Sequence, residues 1–128
     1  MTPAAAWRWG AVLAYMAGLF LSSSTSNYPS VSVRYADTVV HLLLYAGLAS
    51  VSLHALAEGR WSGVTTKRAV WAVAIAVAYG GFDEVHQSFV AGRSSEWADL
   101  LADAGGATAA TVAARGWVIL TKRMKQEE

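Results

Sequence analysis

Apolar residues fall into four runs along the chain, at about residues 7–24, 37–56, 69–90 and 97–120. Each run is near the ~20 residues that cross ~30 Å of hydrocarbon at a rise of 1.5 Å per residue. The polar segments between them carry turn chemistry, as in Asn27-Tyr28-Pro29-Ser30 and Gly92-Arg93-Ser94-Ser95. The pattern predicts an all-α fold, an integral membrane bundle of four transmembrane helices forming a single domain over residues 1–128. The first run also has the outline of a cleaved signal peptide, with Arg8 ahead of an apolar stretch, but it lacks an A-x-A-like cleavage site and is read as a helix. The fourth run is the least apolar. Asp99, Asp103 and Arg115 are each costly in lipid, which leaves a re-entrant or interfacial helix as its alternative.

Small residues recur at helical spacing. Ala102, Gly106 and Ala110 form one stripe on the fourth run, and Gly105, Ala109 and Ala113 form another. Such faces let helix backbones approach closely where lipid removes the hydrophobic driving force. Gly80 and Gly81 are expected to serve the same purpose on the third run, or to allow a bend before Asp83.

Composition agrees with a membrane chain. Hydrophobic residues make up 55% and charged residues 15%, against ~25% charged in soluble domains. Mean hydropathy is a modest +0.34, because Ala, Gly and Ser dilute the apolar runs. Six Trp and five Tyr are many for 128 residues, and several sit at run ends, where amphipathic rings suit the headgroup region. The net charge of +1 gives no reason to expect a nucleic-acid partner, and the absence of cysteine excludes disulfides and thiolate chemistry. Arg8, Arg60, Lys67, Arg68, Lys122, Arg123 and Lys125 fall on one side of the four-run topology, and Arg34 and Arg93 on the other. The positive-inside rule then makes both termini cytoplasmic in a multi-pass protein of the cell membrane. Nothing in the sequence sets an oligomeric state.

The ionisable residues inside the runs respect this topology. Asp37 and His41 lie four apart at the outer start of the second run, and Tyr45 continues their face. Asp83, Glu84, His86 and Gln87 crowd the outer end of the third, with Asp83 and Gln87 on one face and Glu84 rotated by about a hundred degrees. Asp99 and Asp103 share a stripe with Gly106 at the outer start of the fourth, and Arg93 lies in the loop between. Singly, Asp37 is explained as a helix cap and Asp99 as a first-turn carboxylate. Together, nine polar residues at one depth on one side point to an outward-facing pocket: Asp37, His41, Asp83, Glu84, His86, Gln87, Arg93, Asp99 and Asp103. His54 and Glu58, at the opposite end of the second run, read as interfacial residues.

The ordered set Asp37-x-x-x-His41, Asp83-Glu84-x-x-Gln87, Gly92-Arg93 and Asp99-x-x-x-Asp103-x-x-Gly106 resembles the VanZ-like family of membrane proteins. The resemblance implies a multi-span bacterial cytoplasmic-membrane protein in a cell-envelope setting. The family takes its name from a protein associated with low-level teicoplanin resistance, and its members have no established biochemical activity. Thr38 stands where the family often has Lys, Asp103 where it usually has Asn, and Ala110 where it has a later Gly. The first two departures make the cluster more acidic. Its carboxylates must then be protonated, solvated at the rim, or neutralised by a bound cation, a divalent ion among the options. Asp99 and Asp103, one turn apart, are expected to share a proton if both face inward.

Three functions compete. A binding or protective protein would recognise a lipid-linked wall precursor or an amphiphilic antibiotic, with Arg93 as the donor to phosphate or carboxylate. An enzyme acting on a lipid or wall precursor would use His41 or His86 with a neighbouring carboxylate, or a metal held by them, although no nucleophile motif or standard zinc spacing is present. A small proton-coupled transporter would use the same ionisable groups, but they gather at one face instead of forming a path across.

Overall fold

The computed structural model describes residues 1–25 and 36–127. Asn27, Tyr28, Pro29, Ser30 and Arg34 lie outside the described residues. Among the described residues the chain forms four α-helices, α1 (Pro3–Ser23), α2 (Ala36–Leu56), α3 (Thr66–Gln87) and α4 (Trp97–Met124), with a short 3₁₀ turn at Trp61–Gly63 between α2 and α3.

Local chemistry sets several boundaries. The Thr2 hydroxyl accepts from the Ala5 amide at 3.2 Å, and Pro3 occupies the first helical turn of α1. Thr65 caps α3 in the same way, accepting from the Arg68 amide at 3.2 Å. At the end of α2 the Gly59 amide reaches back to the His54 carbonyl at 2.9 Å, and the Glu58 amide to Ala55 at 3.1 Å. That double bond is a Schellman stop, and it places Glu58 and Gly59 at φ 59° and 77°. The α4 helix runs unbroken for 28 residues, about 42 Å. Lys122 and Arg123 lie in its last turn, at the negative end of the helix dipole.

The helices alternate in direction. Gly59 at the end of α2 lies beside Arg8 near the start of α1, and Arg115 in the C-terminal half of α4 donates to Thr66 Oγ1 at the start of α3. The Arg115 guanidinium also points at the Val64 carbonyl, 3.5 Å away. A residue that looked costly from the sequence thus reaches the end of the bundle that holds Arg8, Arg60, Lys67 and Arg68.

The α2–α4 interface is the most extensive, α3 packs on both helices, and α1 leans on α2 and α3. Small side chains allow this closeness: Ala49, Ala76 and Ala107 are buried in one core cluster, and Ala57 and Ala72 in another with Leu53, Val64 and Val118. A side-chain carbon on Gly106 would run into the backbone carbonyl of Leu42, and one on Gly80 would come within 2.5 Å of Asp103 Oδ2. Gly81 and Gly105, expected to pack in the same way, have nothing within 4 Å of such a carbon. One residue is about a hundred degrees of helical rotation, so adjacent glycines cannot both face the same neighbour.

Two helices, α1 and α2, are long and apolar enough to cross a membrane. The α3 and α4 helices, also expected to span, are not among them. Their polarity, however, is turned inward. Asp83, Glu84, Asp99 and Asp103 are buried, while Trp71, Phe82, Val85, Leu101, Val112 and Trp117 are exposed.

Candidate functional site

The buried polar groups meet at one end of the bundle, where α2 starts, α3 ends and α4 starts. On α2 the four-residue spacing runs from the exposed Asp37 through His41 to Tyr45, the last two 5% and 1% exposed. On α4, Asp99 and Asp103 face inward on the stripe that contains Gly106. His41 Nδ1 and Asp103 Oδ1 are 2.9 Å apart, which joins residues 62 positions apart in a buried hydrogen bond. Asp99 Oδ1 accepts from Thr38 Oγ1 at 3.4 Å. The two α4 carboxylates both face inward, as anticipated, but they bond to different α2 residues and not to each other.

On α3, Asp83 Oδ2 accepts from Gln87 Nε2 at 3.0 Å, with the Tyr45 hydroxyl at 3.4 Å. The other end of the Gln87 amide accepts from Arg93 Nη2 at 2.9 Å. A donor to the carboxylate and an acceptor for the guanidinium fix which way the amide points. Arg93 comes back over Gln87 because the chain turns at Val90–Arg93, with the Arg93 amide bonded to the Val90 carbonyl at 3.1 Å. Gly92, at φ 81°, supplies the left-handed position that this turn needs.

Glu84, rotated away from Asp83, points toward the start of α4. Its Oε2 accepts from Ser95 Oγ at 2.9 Å and from the Glu96 amide at 3.0 Å, at the positive end of the helix dipole. Helical spacing does not signal Ser95 and Glu96 as its partners, because a loop residue's reach is not periodic. His86 departs from the cluster. Its Nε2 lies 2.9 Å from Ser24 Oγ, and its ring packs tilted against Phe20 with centroids 4.3 Å apart, so it ties α3 to α1. Asp37 stays at the rim.

A cleft of about 20 Å³ opens into the centre, between Ser23 of α1, Asp37, His41 and Tyr45 of α2, Asp83 and Gln87 of α3, and Arg93. That is room for about one water or one ion. Two larger hollows, about 670 and 490 Å³, are open apolar grooves on the outside of the bundle, away from the carboxylates. Within the centre, one oxygen each of Asp83, Glu84 and Asp103 (Oδ1, Oε1 and Oδ2) is buried without a hydrogen-bond partner.

The family model described as VanZ/LLP1 matches residues 9–120, across all four helices. The chain belongs to the VanZ/LLP1 family. The resemblance read from the residues was therefore the right one, and in this VanZ/LLP1 member the motif residues Asp37, His41, Asp83, Glu84, Gln87, Arg93, Asp99 and Asp103 lie at one end of the bundle. No curated protein and no solved structure matches the chain.

Proposed function

We propose that this VanZ/LLP1 chain is a four-span protein of the bacterial cytoplasmic membrane, both termini cytoplasmic, that engages the anionic headgroup of a lipid-linked envelope precursor at its outer face. The membrane reading is supported by the inside-out distribution of polarity. Charged side chains turned into the bundle and large apolar ones turned out suit lipid on every side. It also lets α3 and α4 span despite their charges. The basic residues at the opposite end suit the cytoplasmic face.

The observation that carries the binding reading is the bonded series Tyr45, Asp83, Gln87, Arg93. It runs from the buried centre to a guanidinium in the outer loop and holds that group in place through Gln87. A cleft of about 20 Å³ is too small for a whole headgroup, so recognition occurs at the mouth, with Arg93 as the bidentate donor to phosphate. The test is retention of a polyprenyl phosphate by the purified full chain in nanodiscs, followed by native mass spectrometry. Arg93→Ala is expected to weaken binding about 10–100-fold, the value of a charge-assisted pair. Unchanged retention would remove the reading. A second reading, an enzyme acting on such a precursor, draws on the His41–Asp103 bond, since a carboxylate that orients an imidazole is the arrangement of a general base. Turnover of the same lipid, lost in His41→Gln, would favour it.

A further inference from the structure

The centre contains a second feature that headgroup recognition does not use. His41 from α2, Glu84 from α3 and Asp103 from α4 each offer a ligand atom within 4.8 Å of those of the other two. We propose that these three side chains form a binding site for a divalent transition-metal ion of the Zn²⁺ or Mn²⁺ class.

All three residues are more than nine-tenths buried. Glu84 Oε1 and Asp103 Oδ2 are buried and have no hydrogen-bond partner, and Asp83 Oδ1 beside them is in the same position. A bare carboxylate oxygen out of water is costly, and the native arrangement of such an atom calls for a partner. Two carboxylates balance the charge of a dication.

The donor set selects the metal. One imidazole nitrogen with two carboxylate oxygens suits Zn²⁺ or Mn²⁺, whereas Mg²⁺ and Ca²⁺ prefer oxygen alone. Ligands of a tetrahedral Zn²⁺ ion stand about 3.3 Å apart for bonds of ~2.0–2.1 Å. His41 Nδ1 and Asp103 Oδ1 stand at 2.9 Å, so the ion would take the place of the proton they now share, and binding would release that proton. The second oxygen of Glu84 is held by Ser95 and the Glu96 amide, the kind of outer support that orients a ligand. Asp37 and Asp99 also have ligand atoms clustered with one of His41. With Asp37 exposed, they provide a route from the rim to the buried trio. Three protein ligands leave at least one coordination position for water.

The site does not depend on the headgroup reading and is tested without lipid ligand. The intact chain in detergent micelles is stripped with EDTA, dialysed against Zn²⁺ or Mn²⁺, and its metal content measured by mass spectrometry. About one ion per chain is expected. Glu84→Gln and Asp103→Asn should each bind about 100-fold more weakly, while Glu58→Gln at the other end of the bundle should bind as the parent does. The Mn²⁺-loaded parent should show nitrogen coupling from one imidazole by pulsed electron paramagnetic resonance. That readout stands alone if the variants fail to fold. Folded parent protein that takes up no ion would overturn the proposal. So would undiminished binding in both variants, or a bound Mn²⁺ with no nitrogen coupling.

Discussion

Replacing Gly106 by Ala tests the contact on which the α2–α4 interface depends. The added carbon would lie 2.8 Å from the carbonyl carbon of Leu42 and 3.1 Å from its Cα, with the carbonyl oxygen closer still. Carbon atoms in contact settle at ~3.5–4.0 Å, so α2 and α4 must separate locally by about 1 Å. The obstacle is backbone, and no rotamer change relieves it. His41 adjoins Leu42, and Asp103 lies one turn before Gly106. The same separation would stretch the 2.9 Å His41–Asp103 bond past the ~3.2 Å limit of a useful hydrogen bond. Overpacking costs about 1–3 kcal/mol, and a buried bond to a charged group is worth about 1.5–3 kcal/mol. A loss of roughly 3 kcal/mol is expected when both act through one displacement. Gly105→Ala is the control: the same substitution one residue away meets nothing within 4 Å and should be neutral or up to about 1 kcal/mol more stable through helix propensity. Both are measured by SDS titration in mixed micelles, followed by tryptophan fluorescence and circular dichroism. If Gly106→Ala unfolds at the same SDS fraction as Gly105→Ala, the close approach is not what holds these helices.

Two tyrosine hydroxyls tie the middle of α1 to the bundle: Tyr15 donates to the Leu44 carbonyl at 2.9 Å, and Tyr79 donates to the Met16 carbonyl at 2.6 Å. Changing both to Phe should cost about 2 kcal/mol, and amide exchange in α1 should quicken about 30-fold while α4 is unaffected. Equal acceleration in both helices would refute that assignment. Because the chain has no cysteine, single cysteines report topology cleanly. A membrane-impermeant maleimide should label Ser94→Cys in intact cells and Ser62→Cys only after permeabilisation, and labelling of both in intact cells would rule out the four-span arrangement.

What the sequence determined by itself was everything that helical periodicity fixes. The spacing of Asp37, His41 and Tyr45, of Asp83 and Gln87, and of Asp99, Asp103 and Gly106 placed each set on one face, because rotation per residue is a property of the backbone. Counting runs also placed the three sets at one end of the bundle, and their order carried the family resemblance. The choice of partners lay beyond this reach. Asp103 bonds to His41 and Asp99 to Thr38, although every inward carboxylate was an equal candidate on spacing alone. His86 turned to Ser24 and Phe20 on α1, and Glu84 reached across to the start of α4. Of two adjacent glycines, Gly80 and Gly106 face neighbours and Gly81 and Gly105 do not. Periodicity fixes angles within a helix but not the rotation of one helix against another. Only tertiary packing decided that rotation, where the Leu42 carbonyl and the Gly106 backbone come together. With it came the particular carboxylate oxygens that are left without partners.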